Sequence, residues 1–179
     1  MKVIGMRVLL VVGTAIAGFV HGAGISEVNE QYGDWTVMNG DGPPHRYNAL
    51  STSTDGEGYL VYSCHVKDAC YLTMLITSNC DIGESYPMLM NADSGAAAVF
   101  TTCIDIHTDI GAAEYSFNDP DAALAETVFT DSRIGIAVPM ADGKFKAVRF
   151  SLMGSQEAMA RAIQLANQLQ SKSVESGEF

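Results

Sequence analysis

Alternation of apolar and polar residues dominates the middle of the chain and predicts β-strands. Within Cys70–Ile76, Leu72 and Met74 point to one side of a strand while Thr73 points to the other. The same kind of pattern predicts strands at Trp35–Met38, Tyr47–Thr54, Tyr59–Cys64, Met88–Asn91, Ala96–Ile106 and Tyr115–Phe117. The second of these is rich in serine and threonine, so we expect an exposed strand there.

The clearest hairpin comes late in the chain. Arg133–Met140 and Lys144–Leu152 both alternate and are joined by a short loop that ends at Gly143. A glycine there can adopt the left-handed conformation that a three-residue hairpin loop requires. In the second strand we expect Val148 and Phe150 to face the core and the polar residues between them to face solvent.

Two segments have helical rather than strand periodicity. Asp119 as N-cap and Pro120 at the first helical position predict a helix of about ten residues. A second, amphipathic helix is predicted from Ser155 to about Gln170. Its apolar stripe consists of Met159, Ala162, Ile163, Ala166 and Leu169.

These elements define a mainly β fold. Strands outnumber helices by about seven to two, and no regular βαβ alternation occurs. The sequence therefore predicts an antiparallel β-sandwich or partly open barrel with one short internal helix and a C-terminal α-helix.

The first residues differ from the rest of the chain. Lys2 and Arg7 precede an apolar run from Val8 to Val20, and small residues follow at Gly22 and Ala23. This is the pattern of a secretory signal peptide, and the run is too short to span a bilayer. We expect cleavage after residue 22, one β-rich domain over residues 23–170 and a flexible tail over residues 171–179. No segment of the mature chain is expected to be an integral membrane span.

Charge limits the possible partners. The full chain has 10 basic and 21 acidic residues, and loss of Lys2 and Arg7 takes the net charge from −11 to −13. An acidic surface of this kind repels nucleic acid and anionic lipid. It suits a basic protein partner or divalent cations, or it serves solubility alone.

The mature chain has an even number of cysteines, which in an exported protein indicates disulfide bonds. The four are Cys64, Cys70, Cys80 and Cys103. Three pairings are possible, and we favour Cys64–Cys70 with Cys80–Cys103, because two strands joined by a polar loop flank the first pair. Zinc is disfavoured, since the spacings contain no CxxC pair.

Several segments resemble the invasion-associated locus B family of exported bacterial proteins. Tyr32–Val37 resembles the family's opening "DW-x-V" strand, and Cys103 lies where the family has a later cysteine. Arg133–Pro139 and the segment Phe150–Gly154, followed by Ala158, resemble its closing hairpin with the "SL-x-G" turn. Met38-Asn39 stands where the family often has a cysteine, and Ser155 replaces the phenylalanine after Gly154. The resemblance implies a periplasmic or surface β-rich protein without catalytic residues, linked to host-cell interaction.

Two sets of residues are candidate metal ligands. Asp105, His107 and Asp109 alternate, so on a regular strand they would share one face with Cys103. The alternative is a polar face of an edge strand that leads into a turn. Asp119 and Asp121 could bind calcium, but helix capping explains them without an ion.

No sequence motif indicates a reaction, so we expect no catalytic residue, no resident metal and no cofactor. The leading hypothesis is an exported, non-catalytic protein, periplasmic or secreted, that binds an unknown partner in the envelope or the host. A hydrolase that uses His107 with a nearby aspartate is the first alternative. The second is an enzyme inhibitor that presents the proline-rich loop Asp41–Pro44, since proline lowers the ordering cost of binding.

Overall fold

The protein is described by a computed structural model, which covers residues 27–40, 46–65, 69–118, 122–140 and 143–176. The predicted signal peptide, the loop 41–44, His45, Asp119, Pro120 and Asp121 lie outside these residues, so the predictions made for them stay predictions. Within the described residues no helix is both long and apolar enough to cross a membrane.

Ten strands and two helices make up the described chain. In chain order they are β1 (Asn29–Tyr32), β2 (Trp35–Asn39), β3 (Arg46–Thr52), β4 (Gly58–His65), β5 (Cys70–Ile76), β6 (Ser85–Ala92), β7 (Gly95–His107), β8 (Ala112–Phe117), α1 (Ala122–Thr130), β9 (Arg133–Pro139), β10 (Phe145–Ser151) and α2 (Ser155–Ser176).

All ten strands belong to one antiparallel sheet that is not closed. Their order is β1-β2-β3-β4-β5-β8-β7-β6-β9-β10, so β8 lies between β5 and β7. The edge strand β10 reaches back to the first strands of the sheet, where Phe150 forms an isolated bridge with Ser53, just after β3. The prediction of a mainly β fold with an internal and a C-terminal helix is confirmed.

One face of the sheet holds the core, and α2 covers one half of this face. Helix α2 packs on β1 to β4 through its buried face, which consists of Ala158, Met159, Ala162, Leu165 and Ala166. The other half of the core is formed by the inward side chains of β6, β7, β9 and β10. We call this side of the sheet the inner face and the opposite side the outer face.

The structure differs from the sequence predictions at three places. The strand predicted to be exposed, β3, buries Tyr47, Ala49 and Ser51, because α2 lies across it. Ile163 of the predicted apolar stripe is 37% exposed, and Leu165 is buried instead. Helix α2 continues to Ser176, six residues past its predicted end at Gln170.

Candidate functional site

Both disulfides tie together parts of the sheet. Cys64 and Cys70 face each other across the β4–β5 ladder, and their sulfur atoms are bonded. Cys80, before β6, is bonded to Cys103 in β7. This is the pairing that the sequence favoured, and no cysteine of the described chain is free.

A β-bulge near the end of β7 brings the candidate metal ligands to the outer face. Cys103 pairs with Tyr115 and is fully buried on the inner face. The next paired residue is Asp105, opposite Glu114, so Ile104 is the extra residue of a bulge. Every later side chain of β7 is thereby moved to the opposite face from the one that strict alternation would give.

Three groups converge after the bulge. His107 Nε2 lies 2.9 Å from Glu114 Oε2. One ligand atom each of Asp105, His107 and Glu114 lies within 4.8 Å of the others. The side chains of His107 and Glu114 are 33% and 19% exposed. We call these three residues the histidine–carboxylate cluster.

The cluster corrects two expectations. Asp109, predicted to share the face, lies in the turn after β7 and outside the cluster, and Glu114 of β8 takes its place. Cys103, expected on the same face, points the other way because of the bulge at Ile104. Sequence periodicity could not locate the bulge, since a bulge adds one residue without a required residue type.

The geometry around the histidines is that of polar pairs rather than of a nucleophile and its base. Within the described residues, the hydrogen bond of His107 goes to Glu114, and that of His65 goes to the hydroxyl of Tyr71, whose ring stacks on the His65 ring. Cavities of about 190, 200 and 430 Å³ open elsewhere, and His107 lines none of them. In neither pair is the partner of the histidine a serine, a threonine or a cysteine.

The outer face carries an apolar patch across four neighbouring strands, which the sequence did not reveal. Three large side chains stand out: Leu89 of β6 is 57% exposed, Phe100 of β7 is 59% exposed and Phe145 of β10 is 63% exposed. Smaller residues fill the surface between them, and we call the whole set the outer apolar patch. Its members are Pro87, Leu89, Ala98, Phe100, Ala137, Pro139, Phe145 and Ala147.

Strand register makes this patch continuous. Phe100 pairs with Pro87, and Leu89 pairs with Ala98 on one side and with Ala137 on the other. The row continues across β9 to β10, where Phe145 pairs with Pro139. Directly paired residues share a face and lie about 5 Å apart, so these side chains form one surface.

Arginine borders the patch at one end. Arg149 of β10 is exposed on the same face, next to Gly135 in the neighbouring strand. It forms no ion pair within the described residues, whereas Arg133 is paired with Asp93 at 3.1 Å. Lys146 points to the other face, where its ammonium group contacts Glu57 at 2.7 Å. One side of β10 thus combines an apolar surface with a guanidinium group that has no ion-pair partner in the part of the chain that the structure describes.

The segments that resembled the exported family contact each other in the fold. Asp34 N donates to the carbonyl of Met153 at 2.9 Å, and the Ser151 hydroxyl donates to Asp34 Oδ2 at 2.5 Å. Trp35 is fully buried, and its indole N–H donates to the Ser151 carbonyl at 3.0 Å. The segment Tyr32–Val37 and the segment Phe150–Gly154 are therefore in direct contact.

A single sheet of ten antiparallel strands with two disulfides and a covering C-terminal helix defines a small disulfide-bonded β protein. Among solved structures, it is similar to invasion associated protein B from Bartonella henselae, with a TM-score of 0.57 and 14% sequence identity. The match covers 78% of this chain and 99% of that chain. No protein-family model matches the sequence, and no curated protein does. The chain thus has the fold of the family that its sequence resembled.

Proposed function

We propose that this chain is an exported, non-catalytic protein of the bacterial envelope that binds another protein through the outer apolar patch. The observation that carries the proposal is the patch itself. If a large side chain exposes about 200 Å² when fully open, Leu89, Phe100 and Phe145 together expose roughly 350 Å² of apolar surface. Contiguous patches of about 300–600 Å² on monomers are often functional.

Charge favours a protein over a membrane or a nucleic acid as the partner. The chain has a net charge of −11, which repels polyanionic surfaces. Arg149 at the end of the patch forms no ion pair with the residues that the structure describes, and it suits a single carboxylate on the partner. We therefore expect an apolar protein surface with an acidic residue at its edge.

Export is supported by the leader pattern together with the disulfides. Bonded cysteines persist in oxidising compartments such as the periplasm. The likeness to invasion associated protein B agrees with an envelope or host-interaction role. Mass spectrometry of the native protein tests this part: we expect loss of residues 1–22 and no free thiol, whereas a retained leader with four free thiols would overturn export.

Site-specific photo-crosslinking tests the binding surface. A photoreactive residue is placed at Leu89 and, as a matched control, at Ile110, which is also 57% exposed but lies in the turn after β7. We expect a discrete adduct with one envelope or host protein from position 89 only. The adduct partner is then purified, and its affinity should fall at least tenfold with Leu89→Gln and stay within twofold with Ile110→Gln.

Three results would overturn the proposed surface. The first is equal crosslinking from both positions, and the second is an affinity that Leu89→Gln does not change. The third is a wild-type dimer in light scattering that becomes a monomer with Leu89→Gln, because the patch would then be an interface between two copies of this chain.

A further inference from the structure

We propose that Asp105, His107 and Glu114 bind a divalent transition-metal ion of the zinc type on the outer face. This inference does not depend on the proposed protein partner, because it rests on a different part of the sheet. It concerns the histidine–carboxylate cluster, where two adjacent strands present an imidazole and two carboxylates to one point.

The ligand set has the chemistry of a transition-metal site. Imidazole nitrogen suits zinc, copper, iron and nickel, whereas calcium and magnesium prefer oxygen ligands alone. His107 therefore makes the cluster selective for ions of the first group. Three protein ligands leave at least one coordination position open, which water or a ligand atom of another molecule can occupy.

The spacing needs only a small adjustment. Nitrogen and oxygen ligands lie about 2.0–2.2 Å from zinc, so two of them at a tetrahedral angle are about 3.3 Å apart. His107 Nε2 and Glu114 Oε2 are already 2.9 Å apart. The remaining separations reach at most 4.8 Å, and rotation of the exposed Asp105 side chain can shorten them.

The electrostatics favour a bound cation. Asp105 and Glu114 are directly opposite each other, and like charges at paired positions destabilise a sheet. Within the described residues no lysine or arginine forms an ion pair with either carboxylate, and His107 is the sole partner of Glu114. A divalent ion would compensate both charges at once.

The backbone fixes the positions of the three residues. Asp105, His107 and Glu114 belong to strands joined by ladder hydrogen bonds, and the Asp105 side chain, which accepts from Ile106 N at 2.7 Å, has only to turn towards the other two. A site on two paired strands loses little conformational freedom on binding an ion. By contrast, the first expected set, which included Asp109 from the turn, would have joined a strand to a loop.

Calorimetry with zinc chloride alone tests the site. The full mature protein is treated with a chelator, dialysed and titrated, and we expect one ion per chain. Glu114→Gln and His107→Gln should each weaken binding at least tenfold. Asp109→Asn and His65→Gln are the matched controls and should change the affinity less than twofold.

A second readout separates loss of ligands from loss of fold. The far-UV circular dichroism of Glu114→Gln should equal that of the wild type, and zinc should shift the His107 ring resonances in NMR but not those of His65. Calcium at millimolar concentration should not displace zinc. The proposal is overturned by absence of zinc binding at millimolar concentration, by unchanged affinity in both cluster variants, or by equal binding of calcium.

Discussion

The hydroxyl group of Ser151 donates a 2.5 Å hydrogen bond to the carboxylate of Asp34, and this bond joins the first hairpin of the chain to its last strand. The same serine offers its carbonyl oxygen to the indole of Trp35 and to the hydroxyl of Ser51. The contact is close because two glycines lie in it. A Cβ atom on Gly33 would overlap the Met153 carbonyl, and one on Gly154 would overlap the Tyr32 carbonyl.

Gly154→Ala should therefore destabilise the fold by more than its backbone conformation alone explains. Gly154 has φ +88°, and Gly83 has φ +90° with open space around it, so Gly83→Ala is the matched control. We expect Gly83→Ala to cost about 1–2 kcal/mol for the left-handed conformation. Gly154→Ala should cost at least about 2 kcal/mol more, because the backbone must move.

Chemical denaturation of both variants at one pH measures the difference. If the free energies of unfolding of the two variants agree within about 0.5 kcal/mol, the close contact between Gly154 and Tyr32 adds nothing to the loss of stability.

The pair Glu30–Arg161 predicts a pH dependence of stability. Arg161 donates two hydrogen bonds of 2.8 Å to the Glu30 carboxylate, and Tyr32 donates a third. Hydrogen bonds from Arg161 and from Tyr32, together with the charge of Arg161, lower the pKa of Glu30 from 4.5 to about 2. A folded-state pKa below the unfolded one stabilises the protein above about pH 4.5, and this contribution disappears as the pH falls towards 2.

Glu30→Gln should lose this contribution at neutral pH. Because the pair is partly exposed, we expect a loss of about 1 kcal/mol at pH 7 and almost none near pH 2. Glu84→Gln is the control, since that side chain has no hydrogen bond or ion pair with the described residues. Chemical denaturation at several pH values tests the prediction. If the difference in free energy of unfolding between wild type and Glu30→Gln does not become smaller in acid, the prediction is wrong.

Two turns are joined by reciprocal hydrogen bonds. Asp93 accepts from the amide and hydroxyl of Ser132, and Asp131 accepts from the amide and hydroxyl of Ser94. Hydrogen bonds from these serines lower the pKa of both aspartates. The β6–β7 turn is thereby attached to the segment between α1 and β9.

Amide hydrogen exchange can test each half of this arrangement separately. Asp131→Ala should speed the exchange of the Ser94 amide by about tenfold, and Asp93→Ala should do the same for Ser132. Each variant serves as the control of the other. Acceleration of both amides by either substitution would mean that the two turns open as one unit.

The two disulfides should contribute unequally to stability. The chain-entropy estimate gives roughly 2 kcal/mol for the six-residue separation of Cys64 and Cys70 and roughly 3 kcal/mol for the 23-residue separation of Cys80 and Cys103. Replacing each pair by alanine and measuring the free energy of unfolding checks the order. If replacing the Cys64–Cys70 pair lowers the free energy of unfolding more, strand packing rather than loop closure determines how much each disulfide stabilises the fold.

Local patterns predicted those parts of the fold that neighbouring residues determine. The late hairpin formed as expected, with Val148 and Phe150 buried and Arg149 exposed, because alternation and the Gly143 loop act over a few residues. Helix α2 began at Ser155 as predicted. In both cases the residues that form the sequence pattern are the same residues that form the hairpin or the helix.

Features that depend on distant residues could not be predicted in this way. The burial of β3 depends on α2, about a hundred residues later, and the outer apolar patch depends on a strand order in which β6 lies between β7 and β9. Leu89 is flanked by the buried Met88 and Met90, so hydropathy alone does not distinguish its exposed position. Two of the three residues of the histidine–carboxylate cluster, Asp105 and His107, were predicted. Glu114 reaches it through the register of β8, and Asp109 is left out because β7 ends at His107.

The hydrogen bond between Trp35 and Ser151 spans 116 positions of the chain, and that distance constrains the order of assembly. While a growing polypeptide lacks its final hairpin, the opening tryptophan has neither its carbonyl acceptor nor the helix that shields it. The first strands can form local pairs, but their apolar face stays uncovered until the C-terminal helix has been made. The complete fold therefore forms late, and we expect a chain truncated before Gly154 to lack a stable packed core.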